Sequence, residues 1–205
     1  MIRELRLRLR LSAAALFKDR SAIAATEFAV IVPIMLVMFF GTVEFSSGVA
    51  IDRKVTIMAR TVADLTSQSG TVNDTDLSNF FAASLGVMTP YDSTPTNATV
   101  SELYIDPASG DARVQWSKGS APRAASSTVP IPASLVSRDP NTNAILQNQY
   151  LIFAEVSYVY VPTIGYVMVK TGVRLSDVAY TRPRQGICVF YPTTPSGSPP
   201  PCPTL

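Results

Sequence analysis

The sequence predicts an α+β protein in which one long amino-terminal helix crosses a membrane, continues as a stalk and packs on a small antiparallel β-sheet. Two observations carry this prediction: a single long apolar run near the amino terminus, and alternating apolar and polar residues in the second half of the chain. Composition agrees with it, because 47% of the 205 residues are hydrophobic and only 16% are charged. About 25% charged residues is usual for a soluble protein.

The apolar run covers residues 23–43, in which Thr26, Glu27 and Thr42 are the strongly polar side chains. A helix of this length spans about 31 Å, which matches the roughly 30 Å thickness of the hydrocarbon core of a bilayer. A buried helix of a soluble protein and a cleaved secretory signal are the alternatives. The run is longer than the usual apolar region of a signal peptide, so we favour a retained transmembrane anchor.

The distribution of charge predicts the topology. Residues 1–20 carry six basic and two acidic side chains, directly before the apolar run. The positive-inside rule therefore places a basic leader (1–22) in the cytoplasm, a transmembrane helix at 23–45 and an outer α+β domain at 46–191. The tail, 192–205, is rich in proline and is expected to be extended. No clustered basic face follows the leader, so we predict no binding to nucleic acid.

The residue types restrict the chemistry. Histidine is absent and the chain has two cysteines, which excludes Ser/His/Asp catalysis and zinc sites that need imidazole. We therefore predict a protein that is not an enzyme and holds no cofactor or metal. An anchored enzyme that uses paired carboxylates remains as an alternative.

Two residues inside the apolar run are candidates for function. Glu27 lies near its cytoplasmic end, and a carboxylate is costly to bury in lipid. It either reaches the lipid headgroups or finds a cationic partner when the helix assembles with others. Pro33 predicts a bend, because proline removes one backbone donor from the helix.

Apolar residues at helical spacing continue past the membrane and predict one helix over residues 23–68. This helical seam consists of Ile51, Val55, Met58, Val62 and Leu65. It packs either on the chain's own domain, which we favour, or against other helices. A second helix is expected at 73–86 and a loop at 87–99.

The rest of the chain predicts an antiparallel sheet of about four strands. Alternating residues favour a hairpin over residues 100–117, a strong strand at 150–161 and a further strand at 173–181. Residues 118–149 are expected to form a long loop.

The membrane segment resembles a known family. Within residues 21–33, Glu27 and Phe28 precede Pro33 inside the apolar helix, and Gly-Thr-Val-Glu-Phe follows at 41–45. This pattern resembles the TadE/TadG-like minor pilins, or pseudopilins, of the tight adherence (Tad/Flp) pilus system. Residues 173–184, which end in Arg-Pro-Arg, are similar to the strand that often closes the family's domain.

The resemblance implies a pilin-like fold and cleavage by a prepilin peptidase between Ala22 and Ile23, where the family usually has glycine before the cut. The new amine of Ile23 would then pair with Glu27 of a neighbouring subunit. Implied partners are other Tad/Flp pilins and minor pilins, inner-membrane platform proteins and the peptidase. The implied location is the bacterial inner membrane, with the outer domain periplasmic or extracellular, or the pilus itself. The implied role is pilus biogenesis, adherence and biofilm formation. The alternative is a membrane-anchored binding or sensor domain unrelated to pili.

The two cysteines, Cys188 and Cys202, lie on the predicted outer side, where disulfides persist. The sequence therefore predicts a disulfide between them that tethers the tail.

Overall fold

The long helix is the dominant element of the structure. The computed structural model describes residues 20–162 and 172–191, with side chains from Ile23 onward. Helix α1 spans Arg20–Ser67 and continues through Pro33, close to the predicted range of 23–68. Most of the predicted leader and all of the predicted tail, with Cys202, lie outside the described residues.

A second helix, α2, spans Asp74–Leu85 and begins with a capping box. The Asn73 side chain accepts the backbone N–H of Asp76 at 3.0 Å, and the Asp76 carboxylate accepts the backbone N–H of Asn73 at 3.1 Å. Both donors would otherwise lack a partner at the start of the helix. The turn that follows α2 is held to α1 by Lys54, whose ammonium group donates to the carbonyl of Val87 at 2.7 Å.

The sheet has five strands in the order β3-β2-β1-β4-β5, and every neighbouring pair is antiparallel. The strands are β1 Thr96–Ile105, β2 Ala112–Gly119, β3 Thr128–Val129, β4 Gln149–Tyr160 and β5 Val173–Thr181. The predicted α+β, pilin-like fold, a long helix packed on a small antiparallel sheet, is confirmed. The predicted hairpin and the two later strands lie where expected.

Two of the loop predictions were wrong in part. β1 begins at Thr96, inside the predicted loop, because its polar first half pairs residue by residue with β4. The predicted loop 118–149 contains β3 and a short 3₁₀ helix, Ala133–Leu135.

Both faces of the sheet are buried, which explains the structure of that second segment. On one face the sheet packs against α1 and α2. On the other face a second apolar cluster, centred on Leu103, Ile105 and Phe153, is covered by Ile131, Leu135 and other residues of the segment. The segment is thus a cover for the sheet rather than a solvated loop.

Residues 182–191, which we call the carboxyl-terminal strap, fasten the domain together. Arg184 forms an ion pair with Asp64 of α1, and its backbone N–H donates to the carbonyl of Ser67 at 2.9 Å. Arg182 donates to the carbonyl of Leu135 at 3.0 Å and so holds the cover segment. The Arg-Pro-Arg sequence therefore joins β5 to the top of the stalk and to the second face of the sheet.

Candidate functional site

The amino-terminal half of α1 presents an apolar surface that nothing else in the described chain covers. The side chains of Phe28, Met38 and Phe39 are 69%, 68% and 63% exposed, and most of their neighbours between Ile23 and Val43 are similar. Within the described residues, α1 is the one helix long and apolar enough to cross a membrane. Such a surface is stable in lipid and costly in water.

The polar side chains in this half of α1 differ in their hydrogen bonding. The hydroxyl groups of Thr26 and Thr42 donate to the carbonyls of Ile23 and Met38, each at 2.8 Å, so their hydrogen-bonding needs are met inside the helix. The Glu27 carboxylate is exposed and has no ion pair or hydrogen bond with any other described side chain. It is available to a partner outside the chain.

The predicted cleavage position falls at the start of α1. Ile23 is 56% exposed, and Ala22 belongs to the helical backbone, although its side chain lies outside those described. Cleavage between them stays a prediction, as does the pairing of an Ile23 amine with Glu27. Pro33 lies within continuous helix, and its role as a bend is likewise a prediction.

The helical seam faces the chain's own sheet. Ile51, Val55, Met58 and Val62 are each at most 1% exposed and belong to the main core, while Leu65 is half-buried. The spacing rule missed two small residues of the same surface, Ala59 and Ala63, which are also buried. Small residues let the helix approach the sheet closely, but alanine is too common in exposed helix faces to mark this contact in advance.

The junction between the membrane segment and the domain is built on a pair that the sequence did not reveal. Glu44 is only 4% exposed, and its carboxylate accepts a hydrogen bond from the Tyr160 hydroxyl at the end of β4. Burial and the neighbouring carboxylate raise the pKa of Tyr160 to about 12. Gly48, one helical turn further on, lies against the Tyr160 ring, where an added Cβ would meet it at 3.8 Å. An acid directly after an apolar run was visible in the sequence, but its tyrosine partner was not.

A cleft lies on the face of the sheet opposite α1. It has a volume of about 630 Å³ and is lined by polar residues of β4 and β5 together with Arg123. The Arg123 guanidinium binds Glu155 through two hydrogen bonds, of 2.6 and 2.7 Å. The buried acid Glu102 lies on the opposite face of the sheet, because strand residues alternate between faces and it pairs with Ile152 rather than Glu155. The structure therefore does not bring these two acids together as a glycosidase would require.

Cys188 is buried beside Tyr104 and Tyr150. The predicted Cys188–Cys202 pairing involves a residue outside the described part of the chain and stays a prediction.

The comparison with known protein families gives a match that falls on α1. Residues 22–64 match the family described as TadE-like protein. This range contains the exposed apolar half of α1, Glu27, and most of the seam, so the predicted resemblance is confirmed for the amino-terminal helix. No curated protein and no solved structure shows a significant match to the chain. The finding supports a membrane-anchored component associated with a Tad pilus, from a structural rather than an enzymatic family.

Proposed function

We propose that this TadE-like chain is a minor pilin-like subunit that supports the assembly of a Tad pilus and the adherence the pilus provides. One observation carries the proposal: the two halves of α1 have opposite surroundings. The half at residues 23–43 is exposed and carries an acid, Glu27, that pairs with no other described side chain, whereas the seam from Ile51 onward is buried by its own domain.

This division separates folding from assembly. The domain completes its core with its own seam, so it does not need neighbouring helices in order to fold. The apolar half can then exchange lipid for the helices of other Tad pilus components. Glu27 makes that exchange selective, because a carboxylate in an apolar environment is stabilised only when a cation pairs with it.

The first test is processing. Amino-terminal sequencing of the protein isolated from native membranes is expected to give Ile23 as the first residue. The matched variant Ala22→Gly carries the residue that the family prefers and is expected to be cut at least as completely. An intact Met1 on both proteins would contradict processing and leave the chain an anchored protein only.

The second test is assembly. Glu27→Gln keeps the size of the side chain and removes its charge. We expect it to reduce surface pili on the order of tenfold or more, since an unmatched charge in a buried pair costs several kcal/mol. Pili are measured in the fraction sheared from cells, and the amount of the variant in the membrane is measured alongside.

Asp52→Asn is the control, because Asp52 is an exposed acid on the same helix beyond the apolar run; it is expected to leave pili unchanged. Normal pili with Glu27→Gln, at normal protein level, would contradict a role for this charge. Normal pili after deletion of the whole chain would favour the alternative, an anchored binding or sensor domain, for which the polar cleft beside Arg123 and Glu155 is the natural ligand site.

A further inference from the structure

A side-chain contact sets the distance between the membrane and the nearest end of the sheet. β4 ends at Tyr160, β5 begins at Val173, and these two residues pair across the strands. The Tyr160 hydroxyl donates to Glu44, the residue that follows the apolar run 23–43. This end of the sheet therefore lies at the level where α1 leaves the hydrocarbon core.

Four of the described side chains around this end are apolar and exposed. We call Phe45, Val49, Val161 and Val173 the membrane-facing rim; they are 64%, 39%, 60% and 38% exposed. Phe45 and Val49 lie on α1, Val161 directly follows β4, and Val173 is the first residue of β5. Phe45, Val49 and Val173 border an apolar groove of about 230 Å³ between helix and sheet, which Tyr160 and Leu175 also line. Four large apolar side chains in water at one end of a domain are an unfavourable surface unless something covers them.

We propose that the membrane-facing rim is a second membrane contact of this protein and lies in the headgroup layer of the outer leaflet. The helix sets the scale, since each residue rises about 1.5 Å. From Glu44 to Val49 the rise is about 7.5 Å, comparable with the roughly 5–7 Å by which the headgroup layer extends beyond the hydrocarbon core on each side. Polar surface returns at Asp52, which borders the same groove.

Lipid is the occupant that the position favours. The rim is continuous with the exposed apolar surface of the transmembrane half through Met38, which is 68% exposed and lies about two turns before Phe45 on the same side of α1, so lipid is expected to surround both surfaces. Tyr160, with its ring against Gly48 and its hydroxyl on Glu44, lies at the level where tyrosine is enriched in membrane proteins. With contacts on α1 and on the sheet, the bilayer holds the domain upright rather than letting it pivot on a single helix.

The test measures the depth of added tryptophans in the full chain, reconstituted in phosphatidylcholine vesicles with or without bromine on the acyl chains. Bromine quenches a nearby indole. The variants are Val161→Trp and Val173→Trp, which lie on separate segments, so that one remains informative if the other misfolds. The native Trp116 is expected to be quenched little, because it lies far from the rim. It pairs with Glu102 on β1, and Glu102 is six residues, or about 20 Å, from Thr96, where β1 starts beside the rim end of β4.

Two further variants serve as controls, one at a position expected in the lipid and one at a position expected far from it. Met38→Trp lies in the exposed apolar half of α1, and Leu146→Trp lies just before the far end of β4, with Leu146 itself 44% exposed. We expect brominated lipid to remove most of the added emission at positions 161, 173 and 38, and little of it at position 146.

Quenching at position 38 without quenching at 161 and 173 would overturn the rim contact while leaving the anchor and the proposed pilus role intact. In that case, a blue shift of the tryptophan emission at positions 161 and 173 that grows with protein concentration would show that a second copy of the chain covers the rim instead. Absence of quenching at position 38 as well would overturn both the rim contact and the transmembrane anchor.

Discussion

Met58→Ala is expected to lower the free energy of unfolding by about 2–5 kcal/mol, because it leaves a cavity at the centre of the contact between helix and sheet. Met58 is fully buried and lies in the cluster that joins α1 to β1 and β4. Domains of this size are stable by only about 5–15 kcal/mol, so the loss is a large part of the total. Urea unfolding of the full chain in detergent, followed by the fluorescence of the single tryptophan, measures it.

Ile57→Ala is the matched control. Ile57 precedes Met58 on the same helix but is 49% exposed, so its truncation opens no enclosed cavity and is expected to change stability by less than about 1 kcal/mol. Equal effects of the two variants would mean that the seam does not hold the domain. It would then be free for other helices, the alternative that the sequence left open.

The periodic features were the predictable part of the fold. Apolar spacing gave α1 to within a few residues at each end, and alternation gave β4 and β5, because these elements each bury a regular face. The start of β1 was missed because Thr96 and Asn97 are held by main-chain pairing to β4 rather than by apolar side chains. The cover over the second face was missed because Ile131, Leu135 and Val136 have no regular spacing.

The same reasoning explains which parts of the site could be anticipated. Glu27 stood out because a charge inside an apolar run is locally anomalous. The Glu44–Tyr160 contact joins residues 116 positions apart, and only the path of the chain brings them together. The exposure of apolar residues such as Val161 can be interpreted only once that contact sets their distance from the membrane.

A second long-range contact, at Glu102, makes the stability of the domain depend on pH. Glu102 is 2% exposed. Its carboxylate accepts the backbone N–H of Val189 at 2.5 Å and the indole N–H of Trp116 at 2.9 Å. These bonds fasten the carboxyl-terminal strap to β1 and β2. Burial raises the pKa of Glu102 to about 8, although both N–H donors act to lower it.

Stability is therefore expected to fall as the pH rises from about 5 to 8. In the unfolded chain Glu102 loses its proton near 4.5. Between these values the folded state holds one proton more than the unfolded state, so each added pH unit removes at most about 1.4 kcal/mol of stability. Over the window the loss amounts to a few kcal/mol. The window is unusually clear of other side chains, because the chain has no histidine and the pKa of the nearby Tyr150 is raised to about 12.

Glu102→Gln isolates this effect. The amide keeps one oxygen that can accept from Val189, but its N–H groups cannot accept from Trp116, so the variant loses a hydrogen bond and gains a side chain that does not titrate. We expect wild type to be the more stable protein at pH 5, and the variant to approach or exceed it at pH 8, in urea unfolding measured at both values. A stability difference that stays constant from pH 5 to 8 would show that Glu102 is ionised in the folded protein. The two N–H donors would then outweigh burial, and the strap would be held by a charged rather than a neutral carboxyl group.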